Sequence, residues 1–112
     1  MFTINGPFSP SVLSNMIVSI EQQVNWIANC LQYMETKNYK EIEICSSAEK
    51  NWVKYCKSLA KGSLYYGCKS WYRGTNIKNK PSEILPFLGG FPKYNSKCAT
   101  VEHYKYKEYK FK

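Results

Sequence analysis

The stretch Gly6-Pro7-Phe8-Ser9-Pro10-Ser11-Val12-Leu13-Ser14-Asn15-Met16, continued from Ile17 to Met34, decides the architecture of this chain. Leu13, Ile17, Ile20, Val24, Ile27, Leu31 and Met34 recur at alternating steps of four and three, the spacing that aligns side chains along one side of an α-helix. The prolines and serines ahead of them suit a helix entrance. Pro10 is tolerated in a first turn, and Ser9, Ser11 or Ser14 can cap the unpaired amides there. Glu21, Gln22, Gln23, Asn25 and Asn29 intersperse the stripe, which reads as a core-packing face.

Working outward, Phe2-Thr3-Ile4 reads as the end of a short strand that Gly6-Pro7 breaks. Thr36-Lys37-Asn38 ends the helix, and Tyr39 to Ile44 alternates like a half-exposed edge strand. Ser46 with Glu49 forms a capping-box pattern for a second helix, on which Ala48, Trp52, Cys56 and Leu59 share a face until Gly62 stops it. From 63 to 90 periodicity gives way to glycine, proline, asparagine and aromatics. The apolar run Ile84-Leu85-Pro86-Phe87-Leu88 favours an ordered loop over a disordered one. Tyr94 to Val101 reads as a short helix, and Tyr104-Lys105-Tyr106-Lys107 as the start of a strand-like alternation. The fold class expected is an α/β fragment with one long amphipathic helix, a shorter helix, a few short strands and a long ordered loop.

Composition narrows the chemistry. The 112 residues are 44% hydrophobic and 21% charged, which suits one globular domain. Sixteen Lys plus Arg against eight Asp plus Glu give a net charge of +8, favouring anionic partners. Neither a long apolar run nor a basic-then-apolar leader is present, so a soluble cytoplasmic protein without a membrane partner is expected. Five cysteines without a C-x-x-C pair argue against a disulfide framework and a zinc ribbon, and no metal site is expected. His103 is the only histidine, which leaves a nucleophile-histidine relay without parts and no catalytic residue to name.

Two places can bind. A helix start after a Gly-Pro turn offers amide groups and a positive dipole end to a phosphate or an electron-rich ring edge, although an ordinary capped start is the reading that proline and serine favour there. Ser70-Trp71-Tyr72-Arg73, with Lys78 and Lys80 nearby, can stack on a base or ribose. Alternatively, Trp71 anchors the loop to the core. The Tyr/Lys-rich tail, Tyr104 to Lys112, permits a second reading, a small basic nucleic-acid-binding module, which the missing recognition motifs disfavour. No G-x-G-x-x-G or G-x-x-x-x-G-K-[ST] fingerprint occurs, so the chain is not a complete dinucleotide enzyme.

The run from Gly6 to Met16, with Val18-Ser19-Ile20-Glu21-Gln22, resembles the C-terminal part of Baeyer-Villiger monooxygenases of the cyclohexanone monooxygenase type, which carry G-P-G-S-P-S-x-L-S-N-M there. The likeness continues in order through Ser70-Trp71-Tyr72, Gly74, Asn76, Lys80-Pro81, Pro86, Gly89-Gly90, Tyr94 and Cys98. The resemblance implies a C-terminal segment of a flavoprotein with two dinucleotide-binding domains. Residues 1–36 would be the end of the FAD domain and residues 37–112 a C-terminal region with a cofactor-covering loop. It implies FAD and NADP as cofactors of the complete enzyme, a ketone or related small molecule as substrate, and missing N-terminal FAD and NADP domains as partners. A strand entrance precedes Phe-Thr-Ile in the family, so Met1 would stand at an interior position, in a truncated or split gene product. The glycine fingerprints, the family's F-x-G-x-x-x-H-x-x-x-W-P signature and its active-site arginine would lie upstream, so the segment alone would not be catalytic.

By the same resemblance, Ser14, Asn15 and Met16 stand at the helix start beside the flavin, and Val12 and Leu13 in the loop shaping the substrate pocket. Trp71 stands in the loop closing over the nicotinamide cofactor, with Lys80 near its phosphates. Three departures stand out. Phe8 replaces the second glycine of the turn, taking up room needed for close backbone approach to a flavin, and Asn79 replaces the glycine before Lys80-Pro81. The end of the chain is also richer in lysine than the family's terminal strand.

Overall fold

A computed structural model describes residues 1–10, 14–75 and 77–112. Helix α1 runs Met16–Thr36, strand β1 Ile42–Ile44, helix α2 Ser46–Lys61, helix α3 Phe91–His103 and strand β2 Tyr109–Phe111. Between α2 and α3 the chain makes two 3₁₀ turns, Leu64–Tyr66 and Trp71–Arg73. The strands pair antiparallel, with Ile42 opposite Phe111, Glu43 opposite Lys110 and Ile44 opposite Tyr109. The α/β character and the three expected helices are therefore present, with α3 three residues longer at its start because Gly90 and Pro92 form its entrance.

Helix α1 is capped by Asn15, whose side chain accepts from the amides of Ile17 at 3.0 Å and Val18 at 3.5 Å. Ser9 does not cap it. That serine is buried, and its hydroxyl donates to the carbonyl of Gly6 at 2.6 Å. Ser11 lies outside the described residues. The helix ends where Asn38 turns left-handed at φ 57°, letting the Tyr39 amide bond the Met34 carbonyl at 2.9 Å.

The stripe of α1 does not pack inward. Ile17 is 69% exposed, Val24 44% and Leu31 49%, and of the stripe's described members only Met34 is buried. The inward face is Ser19, Gln23, Trp26, Cys30 and Tyr33, also spaced by fours and threes but out of step with the aliphatic set. Each residue turns the helix by about 100°, so a shift of one or two positions selects a different side. Trp26 decides which: its indole N–H donates to the Cys98 carbonyl of α3 at 3.0 Å, and Asn29 reaches Glu102 at 2.9 Å. Trp26, Tyr33, Tyr39, Tyr106, Tyr109 and Phe111 then form an aromatic cluster between α1 and the two-stranded sheet.

A second cluster joins α2 to α3. Trp52 stacks on Phe87 at 5.5 Å between centroids and 6° between planes, and Tyr94 meets Phe87 edge-on at 5.5 Å. Here the sequence face is the packed face, with Cys56 and Ala60 buried. Ser46 begins α2 as its first residue, and the Glu49 amide bonds the Cys45 carbonyl, so the expected side-chain cap is absent there.

Two strand expectations are corrected. Phe2-Thr3-Ile4 forms no strand. Ile4 and Asn5 turn, Asn5 is left-handed at φ 51°, and its amide bonds Gln23 Oε1 at 2.7 Å. Among the described residues the only sheet is β1–β2, so this segment has no strand to pair with and Gln23 satisfies its backbone instead. Tyr104 to Lys107 is a turn with left-handed Lys105 and Tyr106, and pairing starts at Tyr109.

The radius of gyration is 15.4 Å, against about 13 Å for a compact domain of ~100 residues. Extents of 47 × 27 × 21 Å describe two aromatic clusters side by side rather than one centre. Denaturant unfolding checks which face of α1 holds the chain together. Val24→Ser should change stability by no more than about 0.5 kcal/mol, whereas Trp26→Ala should cost about 3 kcal/mol.

Candidate functional site

The site grows from the Gly6-Pro7-Phe8-Ser9 turn. The Ser9 amide bonds the Gly6 carbonyl at 3.2 Å, proline is second, and the third residue, Phe8, is left-handed at φ 61°. That is the residue order and hydrogen bond of a type II turn, whose third position normally takes glycine. The Phe8 ring does not disrupt the turn but lines an open cleft of about 1090 Å³ together with Phe2, Gln22, Trp26, Trp52 and Tyr94. Asn79, the other position where glycine is replaced, is likewise left-handed at φ 65°, which asparagine tolerates.

Past the turn, Ser14 is half-buried with its hydroxyl 3.1 Å from that of Ser19, Asn15 holds the cap, and Met16 is 44% exposed at the first turn of α1. Val12 and Leu13, expected in the pocket-shaping loop, lie outside the described residues. Trp71 sits on the second 3₁₀ turn, 63% exposed, with one ring face stacked on Tyr72 at 3.9 Å. Of its two sequence readings, core anchor and exposed stacking surface, the structure has the second. Ser70 caps that turn by accepting the Tyr72 amide at 3.2 Å. Gly74 closes it, left-handed at φ 67° with its amide on the Trp71 carbonyl. The exposed Lys80 lays its stem against Gly74, where an added Cβ would stand 3.2 Å from Lys80 Cδ. Trp71 and Lys80 thus belong to one knot of chain. Arg73 is occupied inside it, donating to the Tyr66 carbonyl and lying over the Tyr66 ring.

Sequence reading missed how these parts are joined. Residues 83–87 run between the Trp71 turn and the Gly6–Ser9 turn, bonding to both through backbone groups. The only sequence signal was the apolar run from Ile84 to Leu88, read as order and not as a connection.

Two of the five cysteines, Cys30 and Cys56, are buried, and Cys68 is exposed. Burial pushes the Cys30 thiol up to about 11, Glu102 adding to it, and the Cys56 thiol up to about 12. Burial also raises Cys98, with Tyr94 and Gln22 partly opposing it. Tyr109 is pushed up to about 12 by burial, with the Cys30 and Cys98 thiols contributing. No group of three His, Cys, Asp or Glu among the described residues can hold a metal ion. No helix among them is long and apolar enough to cross a membrane. Three of the four tail aromatics needed for a nucleic-acid surface are committed elsewhere: Tyr106 is 2% exposed, and Tyr109 and Phe111 pack on Trp26 and Tyr33, which leaves Tyr104 exposed with Lys107 over its ring. Single-strand binding needs a row of free ring faces, which one tyrosine does not supply.

A helix start preceded by a glycine-proline turn is thus joined, through residues 83–87, to a glycine-closed turn that carries an exposed indole. No family model matches the chain. It is 33% identical over 106 residues to cyclohexanone 1,2-monooxygenase of Acinetobacter sp, covering 95% of this chain and 19% of that protein. With an FAD-binding monooxygenase of Byssochlamys spectabilis it shares 33% identity over 109 residues, 97% of this chain and 19% of the other. The structure of cyclohexanone monooxygenase from Rhodococcus sp. Phi1 bound to NADP+ superposes with a TM-score of 0.88 at 32% identity, over 95% of this chain and 20% of that one. The chain spans about a fifth of the length of the relatives it matches. Over that stretch it is a segment of a Baeyer-Villiger type monooxygenase.

Thiol chemistry gives a direct check on the packing. Iodoacetamide at pH 8 should modify the exposed Cys68 and spare Cys30 and Cys56 until denaturant is added. Above pH 9 the unfolded thiols ionise before the buried ones. The buried thiols' contribution to stability is therefore complete below about pH 9 and lost progressively toward pH 11 to 12 in chemical-denaturation titrations.

Proposed function

We propose that this chain is the C-terminal wall of the cofactor cavity of an FAD- and NADPH-dependent monooxygenase that inserts oxygen from O2 into ketones or oxidises nitrogen or sulfur centres, and that it is inactive by itself. Residues 1–36 close the FAD domain in this reading, and residues 37–112 carry the loop that covers the nicotinamide cofactor. The supporting observation is the uncovered aliphatic face of α1, with Ile17 69% exposed and Leu31 49%. Apolar area of that kind on a regular helix requires a cover, and full burial of one such side chain is worth about 1.5–3 kcal/mol. The missing FAD and NADP domains are the partner that supplies it. A relative named as FAD-binding and another whose structure is bound to NADP+ support the same pair of cofactors.

The residues present fit those groups. Asn15 keeps the first amides of α1 ordered while Met16 leaves the positive end of a 21-residue helix open, which suits the electron-rich edge of a flavin. Trp71 has one indole face on Tyr72 and the other free to lie on a nicotinamide ribose and shed water from it. Lys80, whose side chain lies along Gly74 as far as Nζ, brings an ammonium group to the Trp71 turn, where a phosphate would find a counter-charge. Val12 and Leu13 shape the substrate side of the loop before α1. The flavin, when bound, supplies the oxygen and redox chemistry. This chain supplies position, shielding and apolar lining.

Flavin absorbance near 450 nm tests the reading. The chain purified alone should retain no FAD, and co-expression with an upstream polypeptide from a relative should yield a yellow complex. Tight FAD retention by the chain alone would overturn its proposed inactivity. In that complex Trp71→Ala should weaken NADP binding about tenfold or more while FAD content stays unchanged.

A further inference from the structure

Residues 83–87 connect the two cofactor-facing elements through backbone alone. The Glu83 amide bonds the Arg73 carbonyl at 3.1 Å and the Leu85 amide bonds the Tyr72 carbonyl at 3.2 Å, so the first half of the segment is fastened to the residues directly after Trp71. The Phe8 amide bonds the Leu85 carbonyl at 2.6 Å and the Phe87 amide bonds the Ser9 carbonyl at 3.0 Å, so the second half is fastened to the turn ahead of α1. Leu85 is the shared node, with its N–H serving one partner and its C=O the other. Its side chain is 43% exposed, so its contribution is made by the main chain.

The segment is also fixed in space. Ile84 is 8% exposed and Phe87 1%, and Phe87 is stacked on Trp52 of α2 and edge-on to Tyr94 of α3. Gly89 locks the ring from above, since a Cβ there would fall 2.6 Å from Phe87 Cζ. A segment gripped at Phe87 can pass a displacement from one fastened turn to the other, but cannot absorb it by sliding.

We infer that residues 83–87 form a positioning strap, with Leu85 as its node, that makes the Trp71 turn and the Gly6–Ser9 turn a single mechanical unit. The inference deepens the proposed function, on which its functional meaning rests: the cover over the nicotinamide side and the helix start on the flavin side are set together. A loop that closed independently would leave the flavin-side wall unchanged. One spliced through Leu85 reports its position there.

Amide hydrogen exchange on the whole chain tests it. Leu85→Pro deletes the amide that bonds Tyr72 but keeps the carbonyl that receives the Phe8 N–H, and Leu85→Ala removes the side chain while keeping both. The strap requires that Leu85→Pro lower protection of the Phe87 amide about tenfold or more and shift the Trp71 indole N–H resonance, and that Leu85→Ala do neither. Unchanged Phe87 protection in Leu85→Pro, or equal loss in Leu85→Ala, overturns it. The Cys45 and Lys112 amides, bonded to the carbonyls of Glu108 and Glu41, report whether the β1–β2 pairing persists. If they too lose protection in Leu85→Pro, Ser70→Ala decides, because it removes only the hydroxyl that accepts the Tyr72 amide. Loss of protection at Phe87 in that variant supports the strap, and no loss overturns it. No readout involves a cofactor, so failure to bind NADP would count against the proposed function alone.

Discussion

The hydrogen bond from the Trp26 indole to the Cys98 carbonyl, 3.0 Å long, fixes which way α1 faces, and the rest of the arrangement follows from that. An indole N–H placed inside a fold needs an acceptor, and α3 offers one only if α1 turns its aromatic side toward it. Once Trp26 is inward, Cys30 and Tyr33 come inward with it at helical spacing, and Tyr33 meets Tyr106 and Phe111 of the tail. The aliphatic residues are then turned away. The hydrophobic effect would favour the opposite orientation on area alone. An aromatic cluster with one well-placed hydrogen bond and two facing elements wins because the described residues offer no second surface for the aliphatic side.

That competition explains what the sequence could and could not disclose. Periodicity located α1 to within a few residues, since spacing is a property of the helix itself. It assigned the wrong face, because the covering surface is not part of the same pattern. On α2 the expected face is the packed one: Cys56 is buried and Trp52 packs against Phe87 and Tyr94 of the same chain. The short strand predicted at residues 2–4 failed for the reason α1 misled. A strand is defined by its neighbour, and here the neighbour is a side chain, Gln23, bonded to Asn5 at 2.7 and 3.2 Å. The exposure of Trp71 was one of two open readings, and only the packing of Tyr72 beneath it could choose. The strap was illegible because its four bonds are made by main-chain atoms, which every residue except proline possesses in full.

The substitutions that set this chain apart from its family's motif bear on the same point from the side of the backbone. Phe8 and Asn79 both stand where the motif has glycine, and both hold left-handed conformations, at φ 61° and 65°. The backbone has therefore kept the glycine geometry while the side chain changed. For asparagine the cost is small, and for phenylalanine it is about 1–2 kcal/mol. A turn that keeps this conformation under strain is held by its surroundings. The Phe8 amide is bonded to Leu85 and the Ser9 carbonyl to Phe87, so the two bonds of the strap straddle the strained residue.

The thinness of the core gives the last step. Buried apolar side chains such as Phe87 and Tyr106 belong to separate clusters, and the molecule is 47 Å long with a radius of gyration above that of a compact domain of this size. In a self-contained domain the largest aliphatic surface lies in the middle. Here it lies outside, along one side of the longest helix, while polar Ser19 and Gln23 occupy the inside. An inverted helix of this kind is what a slab cut from between two layers would look like: its aromatic side is finished by its own α3 and two-stranded sheet, and its aliphatic side is left for another layer. The helix that faces that layer starts at Asn15 and Met16, so whatever covers Ile17 and Ile20 also borders the helix start. The surface that needs burial and the end proposed to face a flavin are therefore parts of one interface.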